Sequence, residues 1–108
     1  MNNVQILMLR KKSVEYSISA DPTTMDFSYA GGIKDSTVTT TPTSGEWNIL
    51  SSPSWATVFK YNSTTVRASV GQNNTGNFRY GTIVVEHSQD TSKTASISLS
   101  QAPDFGGF

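Results

Sequence analysis

The chain has 108 residues, a formal net charge of zero at pH 7 and no cysteine. This length corresponds to one domain with a modest core, and the lack of cysteine excludes disulfides and leaves the redox compartment open. Charged residues make up 15% of the chain, below the roughly 25% of an average domain. A general nucleic-acid binder needs a clustered excess of Lys and Arg, so the composition argues against one.

The first residues, 1–13, differ from the rest and form a predicted N-terminal arm. Their apolar run Val4–Leu9 is short, is interrupted by Gln5 and precedes the basic cluster Arg10–Lys12. A secretory signal has the opposite order, with positive charge before a longer apolar core. We therefore predict no export signal. Because no stretch reaches the roughly 18–20 apolar residues that cross a bilayer, we also expect no membrane span.

Alternation of apolar and polar residues with a period of two dominates residues 14–102 and predicts short β-strands. The predicted strands, in chain order, are residues 14–19, 25–29, 34–41, 46–50, 55–61, 66–70, 82–88 and 95–100. Residues that favour turns, mainly Gly, Pro, Asn and Ser, separate these strands. Seven or eight short strands at a spacing of about 8–12 residues predict an all-β sandwich of two antiparallel sheets.

Trp47 and Trp55 are the only tryptophans, and they flank a turn that contains Pro53. Trp47 shares a strand face with Ile49, and Trp55 follows the turn. Packed sheets lie about 10 Å apart, and each indole buries on the order of 150–250 Å². One or both indoles are therefore predicted to fill the gap between the sheets, as core side chains rather than as a ligand surface.

Several short segments resemble, in order, those of the BACON domain, an immunoglobulin-like module common in Bacteroidetes proteins. The similar segments are Phe27–Gly32, Glu46–Ile49, Ser54–Val58, Val66–Val70 followed by Gln72–Gly76, Arg79–Ile83 and Ile97–Ala102. The resemblance covers roughly Tyr16 to Ala102 and implies an immunoglobulin-like sandwich. We accordingly divide the chain into the arm 1–13, a BACON-like domain 14–102 and a tail 103–108 that is rich in Phe and Gly.

The resemblance leaves two settings open. Members of the family usually belong to larger secreted enzymes or lipoproteins, and similar modules occur in structural proteins of tailed phages. A lone domain without a predicted export signal fits the phage setting better. The family's name implies carbohydrate binding, but the family has no fixed sugar-binding or catalytic residues to transfer to this chain, and fold alone does not fix function.

No set of residues predicts catalysis or metal binding. The single histidine, His87, shares a strand face with Ile83 and is interpreted as a strand-end histidine. No nucleophile elbow is present, and the carboxylates are scattered singly. Residues 72–77 offer amide oxygens without a carboxylate, and Arg79 is expected to pair with a carbonyl or a carboxylate. We predict a non-enzyme without metal or cofactor.

Both ends of the chain carry apolar side chains that are candidates for partner contact. In the arm these are Ile6, Leu7 and Met8, which belong either to an extra strand of this domain or to an arm that adds to a neighbour's sheet edge. In the tail they are Phe105 and Phe108, which pack either on a partner or back onto the domain.

Four further aromatic residues are candidate ligand or partner contacts: Phe59, Tyr61, Phe78 and Tyr80. Phe59 and Tyr61 lie on one face of the predicted fifth strand, and Val58 lies on the other. Such a pair is a candidate glycan-binding surface. Alternatively, the two side chains face the flank of the second sheet or a neighbouring subunit.

These observations favour a non-catalytic interaction or structural module. We expect an auxiliary or decoration protein of a larger assembly such as a phage virion, located in the virion, with a capsid or other structural protein as its partner. The alternative is a carbohydrate-binding module of a secreted or surface glycan-processing system, with a glycan as the ligand.

Overall fold

The computed structural model describes residues 14–104 as two packed β-sheets. The strands are β1 Ser17–Asp21, β2 Thr24–Phe27, β3 Gly32–Thr41, β4 Trp47–Ser51, β5 Ala56–Asn62, β6 Thr65–Val70, β7 Arg79–His87 and β8 Thr94–Gln101. Sheet A has the order β1-β3-β6-β5, and sheet B has the order β2-β8-β7-β4. The two orders match the two sheets of the immunoglobulin fold, with β2 as an added strand. The predicted all-β sandwich is confirmed.

One strand pairing departs from the expected antiparallel arrangement. β2 pairs with β8 in parallel, with Thr24 opposite Ser98 and Phe27 opposite Gln101. The cause is the short connection at Pro22, where the chain leaves the edge of sheet A after β1 and joins the edge of sheet B. The two residues Pro22 and Thr23 carry the chain across to sheet B without reversing it into a hairpin, and β2 consequently lies parallel to β8.

The largest errors in the predicted strand boundaries are at two strand starts, each off by three residues. β1 begins at Ser17 rather than at residue 14, because its partner β3 ends at Thr41, opposite Ser17. β7 begins at Arg79, three residues before the predicted start at Thr82. Gly81 interrupts the apolar–polar alternation there. A Cβ at this glycine would lie 2.5 Å from the Cβ of Pro53, so its absence lets the turn between β4 and β5 pack on the strand.

The inner faces of the two sheets form one apolar core. The buried hydrophobic residues are Met25, Phe27, Val38, Trp47, Val66, Ala68, Val70, Ile83, Val85, Ile97 and Leu99. Trp47 is 1% exposed, and its indole Nε1 donates to the carbonyl of Ser63 at 2.7 Å. Trp55 is only half-buried and packs at the margin of the core, with the Arg79 guanidinium 4.8 Å from its ring centroid. Of the two indoles, Trp47 is therefore the one that lies in the gap between the sheets.

A buried glutamine joins three segments at one end of the sandwich. Gln101, the last residue of β8, is fully buried. Its Nε2 donates to the carbonyls of Ser28 at 3.0 Å, Tyr29 at 3.2 Å and Gly71 at 2.7 Å. Its Oε1 accepts from Arg79 Nε at 2.9 Å. One amide thus closes the loops after β2 and β6 against the start of β7.

Asn73 extends this polar network into the loop between β6 and β7. It is fully buried, and its Nδ2 donates to the carbonyls of Asn77 at 2.8 Å and Ala102 at 3.1 Å. Its Oδ1 accepts from the backbone N of Thr75 at 3.0 Å and from the Thr75 hydroxyl at 2.7 Å. The amide therefore folds its own loop, in the manner of an Asx-turn.

We predict that Gln101→Met destabilises the fold by roughly 2–4 kcal/mol, because the change leaves Arg79 and several carbonyls without their partner in a dry site. Urea unfolding followed by tryptophan fluorescence measures the loss. Gln89→Met is the control, since that side chain is exposed and its amide donates to Glu46; it should cost less than about 0.5 kcal/mol. Equal losses in both variants would show that the buried amide contributes no special stability.

Candidate functional site

The structure separates the four described candidate aromatics into two pairs on opposite faces of the sandwich. Phe59 and Tyr61 lie on the outer face of β5 in sheet A, with 40% and 52% of their surface exposed. Phe78 and Tyr80 lie at the start of β7 in sheet B, with 50% and 70% exposed. Because the sheets pack through their inner faces, these outer faces point in opposite directions. The aromatics form two surfaces rather than one.

The sheet A patch consists of Ile33, Asp35, Phe59, Tyr61 and Arg67. Strand register places Asp35, Arg67 and Phe59 in one row across β3, β6 and β5. Ile33 lies one row along, on the same face of β3, and is 60% exposed. The predicted placement of Phe59 and Tyr61 on the face opposite Ala56 and Val58 is confirmed.

Arg67 holds this patch in a fixed arrangement. Its Nε and Nη2 donate to the two carboxylate oxygens of Asp35 at 2.8 and 3.0 Å. The same guanidinium lies 3.6 Å from the centroid of the Tyr61 ring, so it supports one face of the ring while the rest stays in solvent. The hydrogen bond from Arg67 lowers the pKa of Asp35, and the same bond raises the pKa of Arg67. The patch is therefore an apolar surface with a neutralised ion pair at its centre.

The sheet B patch consists of Phe78, Tyr80, Ser100 and Asp26. The two rings are nearly parallel, with centroids 6.1 Å apart and an interplanar angle of 12°. Tyr80 lies opposite Ser100, and Ser100 lies opposite Asp26, in one row across β7, β8 and β2. The Ser100 hydroxyl donates to the Asp26 carboxylate at 2.7 Å. An exposed aromatic pair thus adjoins a hydroxyl and a carboxylate on the outer face of sheet B.

His87 is part of the structure of the strand end. It is fully buried, and its Nδ1 accepts from the backbone N of Gln89 at 3.1 Å. The other ring nitrogen, Nε2, lies 2.8 Å from the carbonyl of Thr41, which it reaches as a donor. The Tyr16 ring packs edge-on against the imidazole, with centroids 5.0 Å apart. Both nitrogens are engaged, so the imidazole presents no open position for catalysis or metal binding.

The other polar residues that the sequence singled out also serve the fold. Arg79 pairs with the amide oxygen of Gln101, so its expected carbonyl partner is a side-chain amide. In the loop at residues 72–77, the side-chain oxygen of Asn73 accepts hydrogen bonds from Thr75 of the same loop. Within residues 14–104, no group of three or more His, Cys, Asp or Glu side chains is placed to hold a metal ion.

A depression of about 340 Å³ lies between β2 and β3. It is lined by Pro22, Thr24, Met25, Asp26, Lys34 and Asp35. Its two carboxylates are bound elsewhere, Asp26 by Ser100 and Asp35 by Arg67. Both carboxylates of the depression are therefore already engaged within the fold.

The remaining predicted contacts, Ile6, Leu7, Met8, Phe105 and Phe108, lie outside the described residues, and their roles stay predictions. Sequence reasoning did not single out Arg67 and Asp35, which complete the sheet A patch. The pair is separated by 32 residues along the chain. The signal in the sequence was a pair of opposite charges at outward positions of two strands. Using that signal to predict the pair requires the register between the strands.

Comparison with known proteins identifies similar folds. The chain is similar, with a TM-score of 0.62 and 20% identity over 83% of its length, to part of a Bacteroides ovatus GH5 xyloglucanase solved in complex with an XXXG heptasaccharide. It spans 19% of that enzyme chain. An NMR structure of a protein from Bacteroides thetaiotaomicron is similar with a TM-score of 0.62 and 12% identity, over 88% of this chain and 94% of that one.

No family model and no curated protein matches the sequence. At these sequence identities the similar structures show a shared fold, which is the β-sandwich described above. Membership of the BACON family stays a prediction. Among residues 14–104 there is no helix with the length and apolar character needed to cross a membrane.

We predict a small, pH-dependent contribution of the Asp35–Arg67 pair to stability. Because Arg67 lowers the pKa of Asp35 in the folded state, this contribution is present above the unfolded-state pKa and is lost as the pH falls through the folded-state pKa. Asp35→Asn should cost less than about 1 kcal/mol at pH 7, since the pair is exposed. The difference from wild type should disappear in strong acid.

Urea unfolding at several pH values measures this effect in a double-mutant cycle with Arg67→Gln. In the Arg67→Gln background, Asp35→Asn should have no further effect at any pH. A pH-independent cost of Asp35→Asn, or one that persists without Arg67, would contradict the assignment.

Proposed function

We propose that this chain is a non-catalytic interaction module of a larger assembly, and that the sheet A patch contacts a protein partner. The support for a non-catalytic role is the way polar side chains are used. His87, Arg79 and Asn73 all satisfy partners within the fold. Function then has to reside on exposed surfaces rather than in a cleft.

The observation that carries the proposal is the composition and order of the sheet A patch. Tyr, Phe and Arg are enriched at protein interfaces, and Tyr and Arg are frequent hot-spot residues. Tyr61 and Arg67 are already fixed by stacking at 3.6 Å and by the bond to Asp35, so binding has less side-chain freedom to remove. Since Asp35 neutralises the only cation of the patch, the matching surface of the partner is uncharged.

The assembly that we favour is a phage virion, with a capsid or other structural protein as the partner. This choice rests on the resemblance to modules in structural proteins of tailed phages, and the virion location stays a prediction with it. Neighbouring capsid and tail genes would support this setting, whereas neighbouring glycan-uptake genes would support the alternative below.

We predict that Phe59→Ser combined with Tyr61→Ser weakens binding to the assembly by roughly thirtyfold or more, because two interface anchors are lost. The measurement is co-sedimentation of the purified full chain with virions purified after deletion of its gene. Phe78→Ser combined with Tyr80→Ser is the matched control on the opposite face and should bind like wild type. A wild-type chain that does not sediment with the particles would contradict the virion proposal, and the reverse pattern would move the contact to sheet B.

Carbohydrate binding is the second candidate function, and the sheet B patch favours it. Tyr80 is the most exposed large aromatic among the described residues, and Phe78 lies beside it in a nearly parallel plane. Aromatic faces next to hydroxyl and carboxylate groups suit a sugar ring, which is apolar on its faces and polar at its edges. The similar xyloglucanase was solved with a heptasaccharide, which provides a concrete ligand for the test.

We predict for this second function that the XXXG heptasaccharide binds saturably and that Tyr80→Ala abolishes the binding, because the stacking surface is removed. Isothermal titration calorimetry measures the binding of the heptasaccharide to the wild-type chain and to Tyr80→Ala. Tyr61→Ala, which removes a tyrosine from the opposite face, is the control and should leave binding unchanged. Loss of binding in Tyr61→Ala would assign the sugar to the sheet A patch, and no saturable binding by wild type would remove support for this ligand.

A further inference from the structure

Two strand edges on the same side of the sandwich have no strand partner within residues 14–104. β4 pairs only with β7 in sheet B, and β5 pairs only with β6 in sheet A. An unpaired edge presents backbone N–H and C=O groups to which another chain can add a strand. The composition of the two edges offers little protection: across Trp47–Ser51 and Ala56–Asn62, Lys60 is the only charged residue.

The Lys60 side chain is exposed and extends from β5 toward β4. Alternation along β5 places it on the side of Ala56 and Val58, and the register with β6 shifts immediately after it. Its Nζ donates to the carbonyls of Gly45 at 2.8 Å and Trp47 at 3.0 Å. The ammonium also lies 4.6 Å from the centroid of the Trp47 ring.

Of the two carbonyls that Lys60 binds, that of Trp47 belongs to the unpaired edge, and that of Gly45 belongs to the turn that leads into it. Between them, the carbonyl of Glu46 accepts from the backbone N of Ser88, which continues the β7 strand. Successive carbonyls in an extended chain point to opposite sides. The carbonyl of Trp47 therefore points away from β7, to the side on which an added strand would pair.

We propose that Lys60 is an edge cap that closes β4 to strand pairing with a second copy of this chain. One side chain occupies the Trp47 acceptor at the start of the β4 edge and the Gly45 acceptor in the turn before it, and the bulge after Lys60 interrupts the β5 edge. Without Lys60, the β4 strands of two copies would pair antiparallel about a twofold axis. In such a dimer both copies use the same strand edge. This inference concerns the strand edges and does not depend on the proposed contact at the sheet A patch.

The opposite side of the sandwich is protected differently. The sheet B edge there is β2, which is only four residues long. Short edge strands offer little for another chain to pair with. Lys34 also lies over a core aromatic on that side, 5.9 Å from the centroid of the Phe27 ring. The β4 edge is the one at which removal of a single side chain uncovers acceptors, at Trp47 and in the turn that precedes it.

The test is sedimentation velocity of the full chain over about a hundredfold range of concentration, since self-association follows mass action. Lys60→Met should strengthen dimer formation by about tenfold or more relative to wild type. Lys93→Met removes one positive charge from an exposed turn and should behave like wild type. Lys60→Arg keeps a cationic donor at the edge and should also behave like wild type.

A second substitution locates the pairing. Asn48 is exposed on β4, opposite Glu86 of β7, so Asn48→Lys adds an edge charge next to a carboxylate that accommodates it. Combined with Lys60→Met, it should reverse the association. If Ile6→Asp in the arm reverses it and Asn48→Lys does not, the arm is the occupant and β4-to-β4 pairing is wrong.

Circular dichroism and tryptophan fluorescence establish that each variant is folded, and Lys60→Gln provides a second neutral replacement. The inference is overturned if folded Lys60→Met and Lys60→Gln associate no more than wild type. It is also overturned if both variants unfold, because the lysine would then serve stability rather than edge protection.

Discussion

The hydrogen bonds of the Gln101 side chain are the constraint on which the rest of the structure depends. Its amide binds three carbonyls from two loops and accepts from Arg79, so β8 can end only where those loops meet. No buried side-chain nitrogen or oxygen atom within residues 14–104 lacks a hydrogen-bond partner. A buried polar network of this kind is costly unless complete, and completeness leaves none of its members for chemistry.

Charged side chains also form contacts within the fold. Arg67 pairs with Asp35 and stacks on the Tyr61 ring, and Lys60 donates to the carbonyls of Gly45 and Trp47. Because charged residues make up only 15% of the chain and Arg67 and Asp35 neutralise each other, the sheet A patch presents aromatic rings without net charge. Recognition by such a surface depends on shape and apolar contact. This is why exposed aromatics, rather than a pocket, carry both candidate functions.

The sequence allows most of the fold to be predicted, because alternation with a period of two reports which residues face a core. It fails at Gly81, where packing of Pro53 requires a glycine that interrupts the pattern, and at β2, whose parallel pairing depends on which sheet edge the chain reaches. The candidate surfaces are predicted only in part. Phe59 and Tyr61 follow from alternation within one strand, whereas their contact with Arg67, and that residue's pairing with Asp35, depend on register between strands that lie far apart in sequence.

The placement of the two patches bears on what a single sandwich can do in an assembly. Sheets A and B turn their outer faces in opposite directions, so contact through Tyr61 leaves Tyr80 in solvent. A domain bound through one patch can therefore present the other to a second protein or to a glycan, and the two candidate functions are compatible in one molecule. Because the sheet A patch is neutral overall, its binding would gain little from electrostatic steering and would depend only weakly on salt. A contact made through a charged surface would weaken as salt is added, and this difference separates the two modes of recognition.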